Sequence, residues 1–208
     1  MPPKKVPLAG RNWGPENGRG IRIIGVDPGL ESTGYGIVEK GDHGSFFYCG
    51  SGVISSRASW PLADRLQKIF SGLGEVITRF SPQLMAVESP FFAKNVKSAM
   101  LLGQARGVAI LAAAMADVQV QEFSPLEVKQ AVVGYGRAVK EQIQAMMRSL
   151  LHIPGSLSTH AADALAVALC LAHSLSWQAL LQAAAEPPSQ ARKKGGPLPR
   201  EFILKGGE

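Results

Sequence analysis

Cysteine is scarce in this 208-residue chain: there are two, Cys49 and Cys170, each inside an apolar run and neither in CxxC spacing nor near a His/Cys cluster. That pattern excludes a disulfide framework and a structural zinc site, and it reads as two buried thiols in a reducing compartment. Long apolar runs are missing too. The longest uncharged apolar stretch, residues 107–116, falls far short of the ~20 residues that cross a bilayer. The first twenty residues are basic but lack the apolar segment of a secretory signal. A cytoplasmic protein with no membrane segment is expected. Also lacking is an excess of charge of one sign in the body of the chain. The formal net charge is +6, yet residues 21–186 hold 13 Lys+Arg and 13 Asp+Glu, so the excess sits at the two ends. Bulk charge therefore carries no argument for a nucleic-acid partner, and local placement has to carry it.

What the chain does have, at 46% hydrophobic residues, is enough apolar side chain for one sizeable core. Residues 1–20, rich in Pro, Gly and charge, are expected to be a disordered basic extension, residues 21–176 the folded domain, and residues 177–208 a disordered basic tail. Three strand-like runs open the domain (IRIIGVD, TGYGIVE, FFYCGSGVI), and links so short make them antiparallel neighbours. The period then changes: Leu62, Leu66, Ile69, Leu73, Val76 and Phe80 have helical spacing. LMAVE (84–88) reads as a buried strand. Asn95 is a candidate cap for a helix from about Val96 to Met115, and a further strand falls near 118–123. PLEVKQAVVG leads to a Gly-rich loop, GYGR (134–137), and helical segments near 139–151 and 159–176 complete the domain. This order predicts an α/β fold: a mixed five-stranded sheet, three antiparallel strands followed by parallel ones, flanked by helices.

Two acids stand out by position. Asp27 and Glu88 are each the last residue of an apolar strand, and if both strands are central and parallel, their ends lie side by side at the sheet edge where α/β proteins hold their sites. In THAADALAVALCLAH, His160 and Asp163 are three apart and share one face of a helix's first turn. Gathered carboxylates repel one another unless a cation neutralises them, and oxygen ligands without sulfur suit Mg²⁺ or Mn²⁺. Two such ions can clamp the attacking and leaving oxygens of a phosphodiester. Taken singly, each residue has a blander role as a turn former, a solvated strand end or a helix-start residue.

Four blocks join these residues: IIGVDPGLESTGYGIV, AVESPFFAKNVKSAMLLGQARGVAI, VKQAVVGYGRAVKEQIQAMM and HAADALAVALCLAH. In this order they resemble the motifs of the RuvC family of Holliday junction resolvases, over about Ile21 to Ser174. The resemblance implies an RNase H-like fold, a homodimer, and paired metal-dependent incisions in four-way junction DNA during recombination and repair, with a branch-migration motor as a further partner. It implies that Asp27, Glu88, His160 and Asp163 hold two Mg²⁺ or Mn²⁺ ions per site, with Lys129 and Lys140 catalytic beside the cut phosphate. His160 departs from the acid common at that position, and its nitrogen favours Mn²⁺. Phe91, Lys94, Arg106, Lys129, Arg137 and Lys140 are the expected DNA contacts, Phe91 by stacking. Two other readings stand beside this one. His160 in place of an acid leaves open a catalytically impaired junction-binding protein. DPGLESTGYG also loosely resembles the phosphate-binding hairpin of actin-like ATPases, a fold that needs a second such hairpin, which is not found here.

Overall fold

A computed structural model describes residues 20–41, 44–89, 96–136 and 138–185. Five strands, β1 (Ile21–Asp27), β2 (Ser32–Lys40), β3 (Phe46–Ser55), β4 (Leu84–Glu88) and β5 (Gln119–Phe123), form one sheet in the order β3-β2-β1-β4-β5. The first three pair antiparallel, while β1 with β4 and β4 with β5 pair parallel. Parallel neighbours need long crossovers. These are α1 (Leu62–Phe80), between β3 and β4, and α2 (Val96–Met115), between β4 and β5. The chain ends with α3 (Pro125–Val133), α4 (Lys140–Leu150) and α5 (Thr159–Ala185). The mixed sheet is the one the strand pattern predicts.

Successive strand residues point to opposite faces, and both faces here are covered. Ile24, Val26, Ile37, Met85 and Val87 pack against α1 and α2, while Ile23, Val38, Leu84, Ala86 and Phe123 pack against α3, α4 and α5. Over Ala164–Ala172 the helix α5 is apolar and buried throughout, because it lies on the sheet at β1 and β2 with α3 and α4 over it. It is longer than expected. The stretch SWQALLQAAA has no helix breaker, so the helix runs past residue 176 to Ala185, and residues 177–185 of the expected tail are helical. Cys49 is half-buried rather than buried, because it stands on the edge strand β3.

α2 is long and apolar enough to cross a membrane, but Ala105, Ala109, Ala112 and Ala113 give it a small-residue face packed in the core it shares with α1. Its other side exposes Val96, Met100, Leu111 and Met115.

Glycines set how closely α5 can approach the sheet. A Cβ on Gly25 would stand 1.9 Å from the carbonyl oxygen of Ala164, and one on Gly34 would stand 2.1 Å from that of His160. Neither space can open without moving α5, because the obstacle is backbone. Gly25→Ala is expected to lower stability by about 1–3 kcal/mol, the usual cost of overpacking, read as a lower urea midpoint at unchanged slope.

Candidate active site

Val26 pairs with Val87 across the parallel β1–β4 ladder, so the chain positions that follow, Asp27 and Glu88, leave adjacent central strands at the same edge. The turn after Asp27 is built to stay put. The Thr33 hydroxyl donates to the Gly29 carbonyl at 2.7 Å and accepts from the Gly29 N–H at 3.3 Å. Thr33 is fully buried, and it is the one polar residue in the buried class among the described residues. Farther round the turn, the Ser56 hydroxyl donates to the Leu30 carbonyl at 2.6 Å, and Arg65 of α1 donates to Ser56 at 3.3 Å.

α5 supplies the other half of the site. Ser158 caps it, its hydroxyl accepting from the Ala161 N–H at 3.3 Å, and this presents His160 and Asp163 from the first turn. Because Asp27 pairs with Gly34, whose bare Cα sits under His160, the imidazole reaches the β1 carboxylate. His160 Nδ1 lies 2.9 Å from Asp27 Oδ2, and toward an ionised Asp27 the imidazole is the donor. Lys140, the first residue of α4, reaches Asp163 Oδ2 at 3.4 Å. A lysine in the first turn of a helix opposes the helix dipole, and Val139 before it offers no side-chain cap. Lys140 is thus placed for the carboxylates and not for its helix. Lys129 is carried by α3, which is firmly started by Ser124 and Glu127: the Glu127 N–H donates to the Ser124 hydroxyl at 3.3 Å, and Glu127 accepts the Ser124 N–H at 2.7 Å.

The electrostatics follow from burial and crowding. Burial first, and then the Asp27 and Asp163 charges, push the Glu88 carboxyl up to about 7 against the opposing pull of Lys140 and Lys129. Asp27 is also raised, chiefly by burial and then by Asp163, against the His160 hydrogen bond and Lys140. Five of the six expected catalytic groups thus act on Glu88 or are Glu88 itself, and His160 joins through Asp27. They converge on one edge of the sheet. Among the described residues, no three His, Cys, Asp or Glu side chains close into a ready-made cage. The carboxylates are instead engaged by His160 and Lys140. The donor chemistry, three carboxylates and one imidazole short of positive charge, fits a hard divalent cation.

Arg106 does not join this group. Its guanidinium pairs with Glu122 on β5, on the side of the sheet that α2 covers, and its Nε is buried without a hydrogen-bond partner. Arg106, expected as a DNA contact, is held in an ion pair that ties α2 to the sheet. Phe91, Lys94, Asn95 and Arg137 lie outside the described residues. Thr33 and the glycines under α5 are positioning residues that the motif reading passed over; a Thr two residues from a strand-end turn is the signal that points to them.

Ionising Glu88 and Asp27 inside the fold is unfavourable, so their contribution to stability is full below the ordinary carboxylate range and is lost as pH rises through about 7 for Glu88. In metal-free protein, Glu88→Gln should match wild type in thermal midpoint near pH 4 and melt higher than wild type at pH 8. Equal midpoints at pH 8 would show that Glu88 carries no such strain.

Comparison with known proteins agrees with this geometry. Residues 23–171 match the family model described as crossover junction endodeoxyribonuclease RuvC. A protein of that name from Geobacter sp. (strain M21) is 47% identical over 160 residues, covering 77% of this chain and 97% of the relative. Another, from Syntrophotalea carbinolica, is 51% identical over 153 residues, covering 74% and 94%. Among solved structures, Thermus thermophilus RuvC in complex with a Holliday junction substrate superposes with a TM-score of 0.72 at 33% identity, covering 76% of this chain and 96% of that one. The yeast mitochondrial Holliday junction resolvase Ydc2, at a TM-score of 0.54 and 12% identity, shares the fold, covering 78% and 81%. The sheet with its flanking helices is RNase H-like, as these neighbours are, and a catalytically impaired binder finds no support among relatives that bear the name of an endonuclease. A family match over most of the folded region, together with strand-end acids met by the first turn of α5, places this chain in the RuvC family.

Proposed function

We propose that the chain is a crossover junction endodeoxyribonuclease that cuts four-way DNA junctions in pairs of symmetric incisions, serving recombination and repair. The observation that carries this reading is the meeting of Asp27 and Glu88, from adjacent parallel strand ends, with His160 and Asp163 from one turn of helix. Asp27, Glu88, His160 and Asp163 would hold two Mg²⁺ or Mn²⁺ ions. When bound, such ions stabilise charge on a phosphate and lower the pKa of water.

The chain's own residues do the rest. The Nδ1 hydrogen bond to Asp27 fixes the His160 ring and leaves Nε2 as its available lone pair. Lys140 and Lys129 stand close enough to act on Glu88, so a phosphate bound there meets two cations as negative charge develops. Thr33 keeps the β1 end from yielding. Together with Lys129 and Lys140, the loop segments holding Phe91, Lys94 and Arg137 are the DNA-facing residues of this reading. Cys170, its thiol pushed up to about 12 by burial, and Cys49 are unreactive, as suits a cytoplasmic protein. By likeness to the family, a branch-migration motor delivers the junction.

Symmetric cleavage needs two sites about a two-fold axis. The exposed side of α2 supplies a surface for it: Met100 and Leu111 flank Gly103 and Gly107, which have open space beyond their Cα atoms. A second copy of α2 laid there would bury this stripe. Met100→Glu together with Leu111→Glu should turn a dimer into a monomer in sedimentation equilibrium, and should replace paired cuts by single nicks.

Asp27→Asn tests the catalytic assignment. Cleavage of a labelled four-way junction in Mg²⁺ or Mn²⁺ should fall more than about 100-fold, while junction binding in a gel-shift assay persists. Undiminished cutting would remove Asp27 from the site.

A further inference from the structure

The junction between α3 and α4 carries apolar surface that the fold leaves unused. Leu126 is 56% exposed, Tyr135 49% and Val139 55%. Tyr135 and Val139 belong to the α3–α4 turn, and the Leu126 side chain, from the first turn of α3, reaches the same loop at Gly136. A Cβ on Gly136 would come within 2.3 Å of Leu126 Cδ1, so the loop that carries Tyr135 lies on Leu126, and Val139 follows as the residue that starts α4. Gly134, at φ 81°, ends α3 in a left-handed turn whose N–H donates to the Gln130 carbonyl, and Tyr135 leaves from there.

Two lysines of the site border this patch. Leu126 and Lys129 are three apart on α3 and share a face, and Lys140 directly follows Val139. Lys140 reaches Asp163 Oδ2 at 3.4 Å, so the patch borders the acidic edge. Apolar and aromatic surface flanked by cations, next to carboxylates suited to divalent ions, is complementary to a nucleotide: phosphate oxygens meet the lysines, and a base meets the ring.

We propose that Tyr135, beside Leu126 and Val139, is a nucleotide shelf that stacks on a base next to the cut phosphate and so positions that nucleotide for cleavage. The inference rests on reading the site as a junction nuclease and goes beyond it by naming a substrate-positioning residue. Leu126 lies against the loop that carries the ring, Val139 bounds the shelf at the α4 side, and Lys140 holds the backbone of the same nucleotide.

The test combines protein and substrate changes. Cleavage kinetics of wild type, Tyr135→Ala and Tyr135→Phe are measured on a four-way junction with normal bases, and on junctions with an abasic site at either nucleotide flanking the cut phosphate. Tyr135→Ala should lower kcat/KM by about 5- to 150-fold, and Tyr135→Phe should stay within about twofold of wild type. At one of the two positions the abasic site should cost wild type a similar factor and cost Tyr135→Ala nothing further, because the same contact is removed twice. The thermal midpoint of Tyr135→Ala should not move. Full activity of Tyr135→Ala, or losses that multiply independently at both positions, would overturn the shelf. A wild type that cuts none of the junctions would overturn the nuclease reading itself, and the shelf would fall with it.

Discussion

The site depends on a close approach between backbones. α5 crosses β1 and β2 at a distance that only hydrogen atoms at Gly25 and Gly34 permit, and that approach sets His160 and Asp163 against the strand end bearing Asp27. Gly36 continues the same contact, where a Cβ would stand 2.5 Å from Leu165 Cγ. Burial of its Ala164–Ala172 stretch keeps α5 there, since it packs on the sheet below and on α3 and α4 above. The two halves of the site, strand ends and helix start, are therefore one packing decision.

Electrostatics then work against that arrangement. Three carboxylates share one edge, and burial raises two of them, Glu88 and Asp27, before any mutual repulsion is added. Within the chain the opposing groups are the His160 imidazole on Asp27 and the Lys140 ammonium on Asp163. Exposed or partly exposed pairs of this kind are individually weak. They offset the crowding without removing it, which leaves the edge receptive to further positive charge.

Much of this was legible in the sequence because it was written in short periods. Alternation and apolar runs placed the strands, the change of period at Leu62 placed α1, and the position of Asp27 and Glu88 at the ends of two runs followed from the same pattern. His160 and Asp163 were legible as a pair because helical spacing is local. What could not be read depends on contacts between distant segments. Arg106 looks like any basic residue on a helix; only the placement of α2 over β5 pairs it with Glu122. The glycines of β1 and β2 read as weak strand residues until α5 is laid across them. The end of α5 was misplaced because nothing local marks a stop at residue 176, where Ala, Leu and Gln continue the helix.

Thr33 is an inconspicuous residue with a mechanical consequence. Its hydroxyl, fully enclosed, satisfies both polar groups of Gly29 and braces the bend that follows Asp27. Repulsion at the sheet edge is consequently borne by a stiff main chain and does not spread the strand ends apart. An incoming ion meets a carboxylate already standing in place, with little rearrangement left to cost it affinity.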